Sequence, residues 1–501
     1  MAPSLRLWKR LAGAAIIFVL AGCTVGPAFK RPQAPAAKTY TETALPARTE
    51  SAPVAGGPAQ SFALGKDIQA RWWELFHSPQ LDSLVRLGLA RSRTLTAAQA
   101  ALRQAYENER AQMGALLYPK VDAKATAERE KFSSAAFGQP GGHGIIFNLF
   151  NASASVSYLF DLFGGSRLAL EALGAQTDYQ RYQLEGAYIA LTANIVTTAV
   201  KEASMRAQIK AAKEILSAEE EQLGIVEKQF ALGGVSRSSV LAQRTQLAQT
   251  RATLPPLETA LSQTRHQLAV LAGTLPGNAG ELPEFNLHNL QLPLELPVSL
   301  PSKLVRQRPD ILASEALLHA ASAQIGVATA AMLPQITFTG SIGTETTKAS
   351  DLFTSKTSIW NLGMSLLQPI FHGGELIGKR RAAVAAYEQA LAQYQETVLT
   401  AFQNVADTLR ALDKDASTLK AQTEAWTAAR DSLELAQNQF RVGAVSYLTL
   451  LNAQRQYQQA RLNLVQAQAA RFADTAALFQ ALGGGWWNQP AETGAATADK
   501  K

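Results

Sequence analysis

The stretch "NASASVSYLFDL", Asn151–Leu162, decides the fold. Ala152, Ala154, Val156, Tyr158, Phe160 and Leu162 share one parity, and Ser153, Ser155, Ser157 and Asp161 share the other; Leu159 is the exception. A period of two marks a strand whose faces meet different surroundings. Upstream, "KVDAKATAE" from Lys120 alternates without exception: Val121, Ala123, Ala125 and Ala127 against Asp122, Lys124, Thr126 and Glu128. The glycine-rich "FGQPGGHG", Phe137–Gly144, lies between them, so the two form a hairpin with a long connection. "QITFTGSIG" from Gln335 and "SIWNLGMSLLQPI" from Ser358 supply a second pair, with Trp360, Leu362 and Met364 against Asn361 and Gly363. Each strand reads as about ten residues, the length a tilted strand needs to cross a bilayer. An apolar outside and a polar inside describe the wall of a water-filled barrel. Four strands cannot close one, because an open edge in lipid leaves backbone groups unpaired. Several chains must pool strands, and three would give twelve.

Long helical runs separate the strands. Ser78 followed by Pro79 is a helix start, a capping hydroxyl before a ring that pre-sets the first helical φ; this helix is expected to reach Leu117 and end at Pro119. After Gly164-Gly165 a run extends to Phe230, roughly 100 Å at 1.5 Å per residue. The turn "QFALGGVS" (Gln229–Ser236) reverses it, and a return helix reaches Gly273, with a kink expected at Pro255-Pro256.

The second half repeats this order. A helix from about Asp310 ends at Pro334, two strands follow, and Gly373-Gly374 open a long helix to Phe440. The turn "QFRVGAVS" (Gln439–Ser446) then leads a return helix to Gly483. Pro119 corresponds to Pro334, Phe230 to Phe440, Ser236 to Ser446, Arg251 to Arg461 and Gly273 to Gly483. This is a duplication within one chain rather than an array of short units. The expected boundaries are a signal segment 1–22, an extended linker 23–70, a first repeat 71–300, a second repeat 301–485 and a C-terminal tail 486–501. Val398, Phe402, Val405, Leu409, Leu412, Ala416, Leu419, Trp426, Leu433 and Phe440 keep a 4-3 spacing. Ile209, Ala212, Leu216, Leu223, Val226 and Phe230 keep it in the first half, interrupted by Glu219. A 3.5-residue repeat means helices wound along neighbours.

Composition narrows the function classes. The chain has 501 residues and a formal charge of +7, with its basic residues scattered among acidic and amide groups on helices, so nucleic-acid binding is disfavoured. The apolar run "LAGAAIIFVLAGC" follows Arg6, Lys9 and Arg10 in the order of a secretory signal. It ends at Cys23, the one cysteine, directly after Leu20-Ala21-Gly22. A single cysteine excludes internal disulfides and four-cysteine metal sites; its position is that of a bacterial lipobox, with cleavage before Cys23 and acylation of it. The six histidines (His77, His143, His266, His288, His319 and His372) show no ligand spacing, and no nucleophile elbow or phosphate loop is present. No catalytic residue, metal or cofactor is expected.

The lipobox, "WWELFHSPQLDSLV", "LLYPKVDA", "FDLFGG", the paired turns, "LPSKLVRQRPDILASEA", "AMLPQITFTGSIG", "QPIFHGG" and "ALGGGWW" occur in this order over about residues 20–487. Together they resemble the TolC-like outer membrane factors, in their lipoprotein (NodT-type) branch. The resemblance implies a homotrimer: a twelve-stranded barrel in outer-membrane lipid and a long α-helical tunnel across the periplasm. It implies docking with a periplasmic adaptor and a proton-driven inner-membrane pump of RND type, for export of small molecules. The two turns then become hairpin tips that meet the adaptor, through Leu232, Gly233, Gly234, Val235 and Ser236 and through Val442, Gly443, Ala444, Val445 and Ser446. The acidic residues that often ring the closed aperture in this family map onto Thr449 and Asn452, which are neutral. Closure would then rest on helix packing and neutral hydrogen bonds, with Tyr447, Asn452 and Arg455 as members. Arg308 in "RQRPDILASEA" reads as structural, able to pair with Asp310 or Glu315. A duct for protein secretion and a lipid-anchored periplasmic coiled-coil scaffold without a pore remain as alternatives; the scaffold leaves the alternating strands unexplained.

Overall fold

The computed structural model describes residues 24–133 and 144–488. The signal segment, Cys23, the glycine-rich loop up to His143 and the tail beyond Asn488 lie outside the described residues. In chain order the elements are β1 (Ser61–Leu64), α1 (Pro79–Arg91), α2 (Arg93–Leu117), β2 (Lys120–Phe132), β3 (Ile145–Phe160), α3 (Gly165–Ala231) and α4 (Arg237–Leu271). Then follow β4 (Glu295–Val298), α5 (Pro301–Gln307), α6 (Pro309–Ala330), β5 (Gln335–Thr346), β6 (Ser358–Leu367), α7 (Glu375–Arg441) and α8 (Tyr447–Ala481). They form two compact units, each discontinuous in sequence and each drawing on both repeats.

The first unit comprises the described parts of Met1–Pro32, Ala101–Arg181 and Ala313–Gln395. It holds an antiparallel sheet in the order β2-β3-β5-β6. The register aligns like with like. Val121 faces Val156, Val156 faces Gly340 and Gly340 faces Leu362; Ala123, Ala154, Ile342 and Trp360 form the next apolar row. Between these rows run Asp122, Ser155, Ser341 and Asn361. A one-residue slip would exchange the faces, so the apolar match fixes the register. The apolar face is bare within the chain: Val121 is 72% exposed, Ile342 65% and Leu362 83%. Among the described residues the outer edges of β2 and β6 have no strand partner. Three strands exceed the expected ten residues, at 13 for β2, 16 for β3 and 12 for β5. The extra length of β3 is the six residues Ile145–Phe150, which precede the alternating stretch and do not alternate cleanly.

The second unit comprises Gln33–Ala100, Tyr182–Leu312 and the described part of Glu396–Lys501. Trp72, Trp73, Phe76, Phe472 and Phe479 fill its core, with Trp72 stacked on Phe479 at 5.1 Å. Ser78 caps α1 by accepting from the Leu81 N–H. The expected continuous helix to Leu117 breaks at Ser92, whose backbone is extended and whose hydroxyl accepts from the Leu95 N–H at 3.2 Å. The residues that read as a linker are extended but tied down: the Tyr40 hydroxyl donates to the Ser299 carbonyl, and β1 pairs in parallel with β4. Four-residue strands more than 230 positions apart carry no periodic signal, so this pair was invisible in the sequence.

The seam on α7 is buried as its spacing requires, with Val405, Leu409, Leu412 and Leu419 all at most 1% exposed. Phe440 is buried, but Phe230 is 44% exposed. Phe440 meets Tyr447 edge-on at 5.8 Å, whereas the residue matching Tyr447 in the first repeat is Arg237. Helix α4 passes through Pro255 and Pro256 uninterrupted. The carbonyls those rings free belong to Arg251 and Ala252, which are exposed to water. Helix α6 ends at Ala330 and tightens through i→i+3 bonds to Leu333, the residue that Pro334 keeps out of the helical region. Arg308 takes Asp310 as partner, at 2.5 and 3.0 Å, and donates to the carbonyl of Ala481 at 2.7 Å. Glu315 instead bonds Arg31, within the first unit.

Candidate functional site

Both hairpin turns lie in the second unit and share one backbone solution. The N–H groups of Gly233 and Gly234 bond the carbonyls of Phe230 and Gln229; those of Gly443 and Ala444 bond Phe440 and Gln439. This is a Schellman closure, which needs its penultimate residue at positive φ. Gly233 and Gly443 both have φ of 75°. Ser236 and Ser446 then cap α4 and α8 by accepting from the N–H of Ser239 and Thr449. Leu232 and Val442 are fully presented at 87% and 78% exposure, beside exposed Gly234, Ala444, Ser236 and Ser446. Val235 and Val445 turn inward and pack on a cluster of Val226, Val240, Phe440, Tyr447 and Leu450. That cluster takes residues from all four helices, so it fixes the two tips side by side.

Next to it is a polar cluster joining the hairpins. The Tyr447 hydroxyl donates to the Gln243 side-chain oxygen, and the Gln243 amide donates to the Glu219 carbonyl at 3.2 Å. Arg455 Nε donates to Gln246 Oε1 at 2.8 Å, and Gln246 Nε2 donates to Glu219 Oε1 at 3.1 Å. Glu219 is 2% exposed and its second oxygen has no partner among the described residues. Burial pushes its carboxyl above the usual range, against bonds from Thr250 and Gln246 and the charge of Arg455. Burial likewise raises the Tyr447 hydroxyl. Of the four aperture residues expected from sequence, Tyr447 and Arg455 join this cluster. Asn452 is exposed outside it, and Thr449 serves the Ser446 cap. Glu219, Gln243 and Gln246 were missed. The interruption of the seam at Glu219 was the available signal: a buried charge at a packing position must have partners.

The same unit also holds a carboxyl pair, Asp415 and Asp474. Burial first, and then hydrogen bonding and repulsion from Asp474, raise Asp415 to about 7, with Arg471 opposing. Arg471 is fully buried and donates to the carbonyls of Gly56, Pro58 and Leu412. A carboxyl whose folded pKa is raised stabilises the fold at low pH, and that contribution is lost as pH climbs from about 4 toward 7. Asp415→Asn should flatten the thermal-stability profile over this window; an unchanged slope in differential scanning calorimetry would show that the pair does not share a proton. Among the described residues no group of histidine, cysteine or acidic side chains could hold a metal ion.

A profile of the family described as outer membrane efflux protein matches residues 84–274 and 300–484. The pyoverdine export outer membrane protein OpmQ of Pseudomonas aeruginosa is 34% identical over 424 residues, covering 83% of this chain and 87% of OpmQ. The toluene efflux pump outer membrane protein TtgC of Pseudomonas putida is 30% identical over 485 residues, 96% of both chains. Among solved structures, the outer-membrane channel OprN superposes with a TM-score of 0.82 at 27% identity, over 93% of this chain and all of that one.

Proposed function

The chain belongs to the outer membrane efflux protein family, and on that premise we propose how its parts divide the work of an efflux channel. Three copies pool their open-edged sheets into one barrel of twelve strands, with Trp360, Leu362 and Ile342 toward lipid and Asn361, Ser341 and Asp122 toward water. The helical hairpins form a periplasmic tunnel. Cys23 carries the lipid that holds the chain on the outer membrane. The tips, Leu232–Ser236 and Val442–Ser446, meet the hairpins of a periplasmic adaptor, which couples the channel to a proton-driven inner-membrane pump of RND type. The channel is a passive conduit, and no step of bond chemistry is assigned to it. The relatives named above carry pyoverdine in one name and toluene in the other, so this fold does not fix the cargo.

The observation that carries this reading is the sheet: among the described residues it has one apolar face left bare, one polar face and two edges without a strand partner. Closure at the tip end rests on the cluster of Glu219, Gln243, Gln246, Tyr447 and Arg455, with no acid at Thr449 or Asn452. Single-channel recording of the purified protein in a planar bilayer tests both points. The parent should conduct at a low level that periplasmic divalent cations leave unchanged. Tyr447→Phe with Gln246→Leu removes about 1 kcal/mol per protomer for each bond lost, and the open fraction should rise at least tenfold if the protomers open together. A double variant that conducts like the parent would remove the cluster from gating; a protein that never conducts would favour the scaffold.

A further inference from the structure

In the first unit the end of β3 and the start of α3 enclose a cleft of about 240 Å³. Its walls are apolar, formed by Leu116, Phe160, Leu162, Phe163, Val327 and Ala331. Asp161 stands at the cleft but its charge is engaged: it accepts from the N–H groups of Ser166 and Arg167 and pairs with the Arg167 guanidinium. The cleft therefore offers an apolar ligand no penalty from an unpaired charge.

The described residues from Thr24 onward lie against Phe163 of that lining and against Gly164 and Gly326, which adjoin it in sequence. The Val25 N–H donates to the Phe163 carbonyl at 3.1 Å. Thr24 lies over Gly164, so closely that a Cβ there would fall 2.9 Å from its methyl carbon. Gly26 and Gly326 let two backbones touch: a Cβ on Gly26 would come within 2.6 Å of the Gly326 Cα. Phe29 stacks on His319 at 4.3 Å, and Arg31 bonds Glu315 at 2.5 Å. This segment has no slack. Thr24, the first described residue, thus sits against Gly164, between the cleft-lining Phe163 and Gly165.

We propose that the cleft receives a section of one acyl chain attached to Cys23. The anchor is then partly docked in protein, which fixes where the lipid enters the membrane relative to the sheet. The inference rests on the reading of Cys23 as acylated. The volume is below the roughly 300 Å³ at which pockets hold whole small molecules, so it accommodates part of one chain and leaves the others to the bilayer.

The test uses the full chain expressed in a cell that acylates lipoproteins. Leu116 and Gln335, at the wall and rim, are replaced one at a time by the photo-crosslinker p-benzoylphenylalanine, with Phe353 in the exposed β5–β6 connection as control. Trimers are isolated, irradiated and digested. Mass spectrometry should find the acylated Cys23 peptide crosslinked at 116 or 335, several-fold above position 353. An N-terminal peptide bearing acyl groups but no such crosslink overturns the docking while leaving lipidation intact. So does a crosslink to free phospholipid, or to Ile370 or Phe371 of a second copy, which are 94% and 86% exposed in the single chain. A Cys23 peptide without acyl groups overturns the lipidation reading and the docking with it. The rim position covers the case in which substitution at Leu116 prevents folding.

Discussion

Cells whose channel carries Gly443→Trp will be as susceptible to the exported compounds as cells with no channel, although the trimer forms and inserts. A Cβ on Gly443 meets nothing within 4 Å in the chain, so the indole has room to point outward. The local cost is the positive φ of 75°, about 1–2 kcal/mol for a residue with a side chain. That cost does not unfold the hairpins, because Val226, Phe440, Tyr447 and Leu450 hold their ends from within. What the indole does disturb is whatever lies against the tip. Strain and docking are separated by Gly443→Asn, since asparagine tolerates the left-handed region and is small. Drug susceptibility and trimer yield are read for both variants. Docking predicts that the Asn variant exports and the Trp variant does not. Equal failure of both would assign the effect to backbone strain, and normal export by the Trp variant would mean the tip touches no partner. Gly233→Trp should behave alike, because its turn is closed by the same pair of bonds.

What the sequence revealed follows from how local each signal is. Ser78, Gly233 and Gly443 act locally, and the helix cap and the two chain reversals they make were legible. The strand faces were legible because parity survives any register; the pairing of Val156 with Gly340 was not, because it joins residues 184 apart. The seam on α7 was legible as a 4-3 spacing over many turns. The end of α6 was legible only to within a turn, because Pro334 marks where a helix must have ended and not where it begins to loosen. The polar cluster shows the limit. Glu219 stood out as a break in the seam, and Tyr447 and Arg455 were marked by their place just after the second turn, but Gln243 and Gln246 sit among many exposed amides, and only the packing of two hairpins selects them. The repeat also conceals divergence. Glu220 and Arg251 form an ion pair at 2.9 Å in the first hairpin. Their counterparts in the second are Arg430 and Arg461, which instead flank the Trp426 ring at 5.3 and 5.4 Å. Duplication preserved the positions and exchanged one attraction for another.

Leu362→Arg should abolish assembly outright. Leu362 is 83% exposed in the single chain, between Trp360 and Met364 on the apolar face of β6, and its neighbour across the sheet is Gly340. An arginine at the midplane of a barrel's lipid face costs about 2–4 kcal/mol, and a trimer carries it three times, so the total is about 6–12 kcal/mol. That is comparable with the whole stability of a typical folded domain, about 5–15 kcal/mol. Heat-modifiable trimer should disappear from outer-membrane fractions, and the unassembled chain, with two open strand edges, should be degraded or aggregate. Asn361→Arg changes the adjacent residue, which shares the other face with Ser341. It places the same charge in water, so trimer yield should match the parent and only the conductance should change. The two variants differ by one position and by nothing else, so a defect that strikes both, or strikes Asn361→Arg alone, would mean that the alternating residues do not divide lipid from lumen.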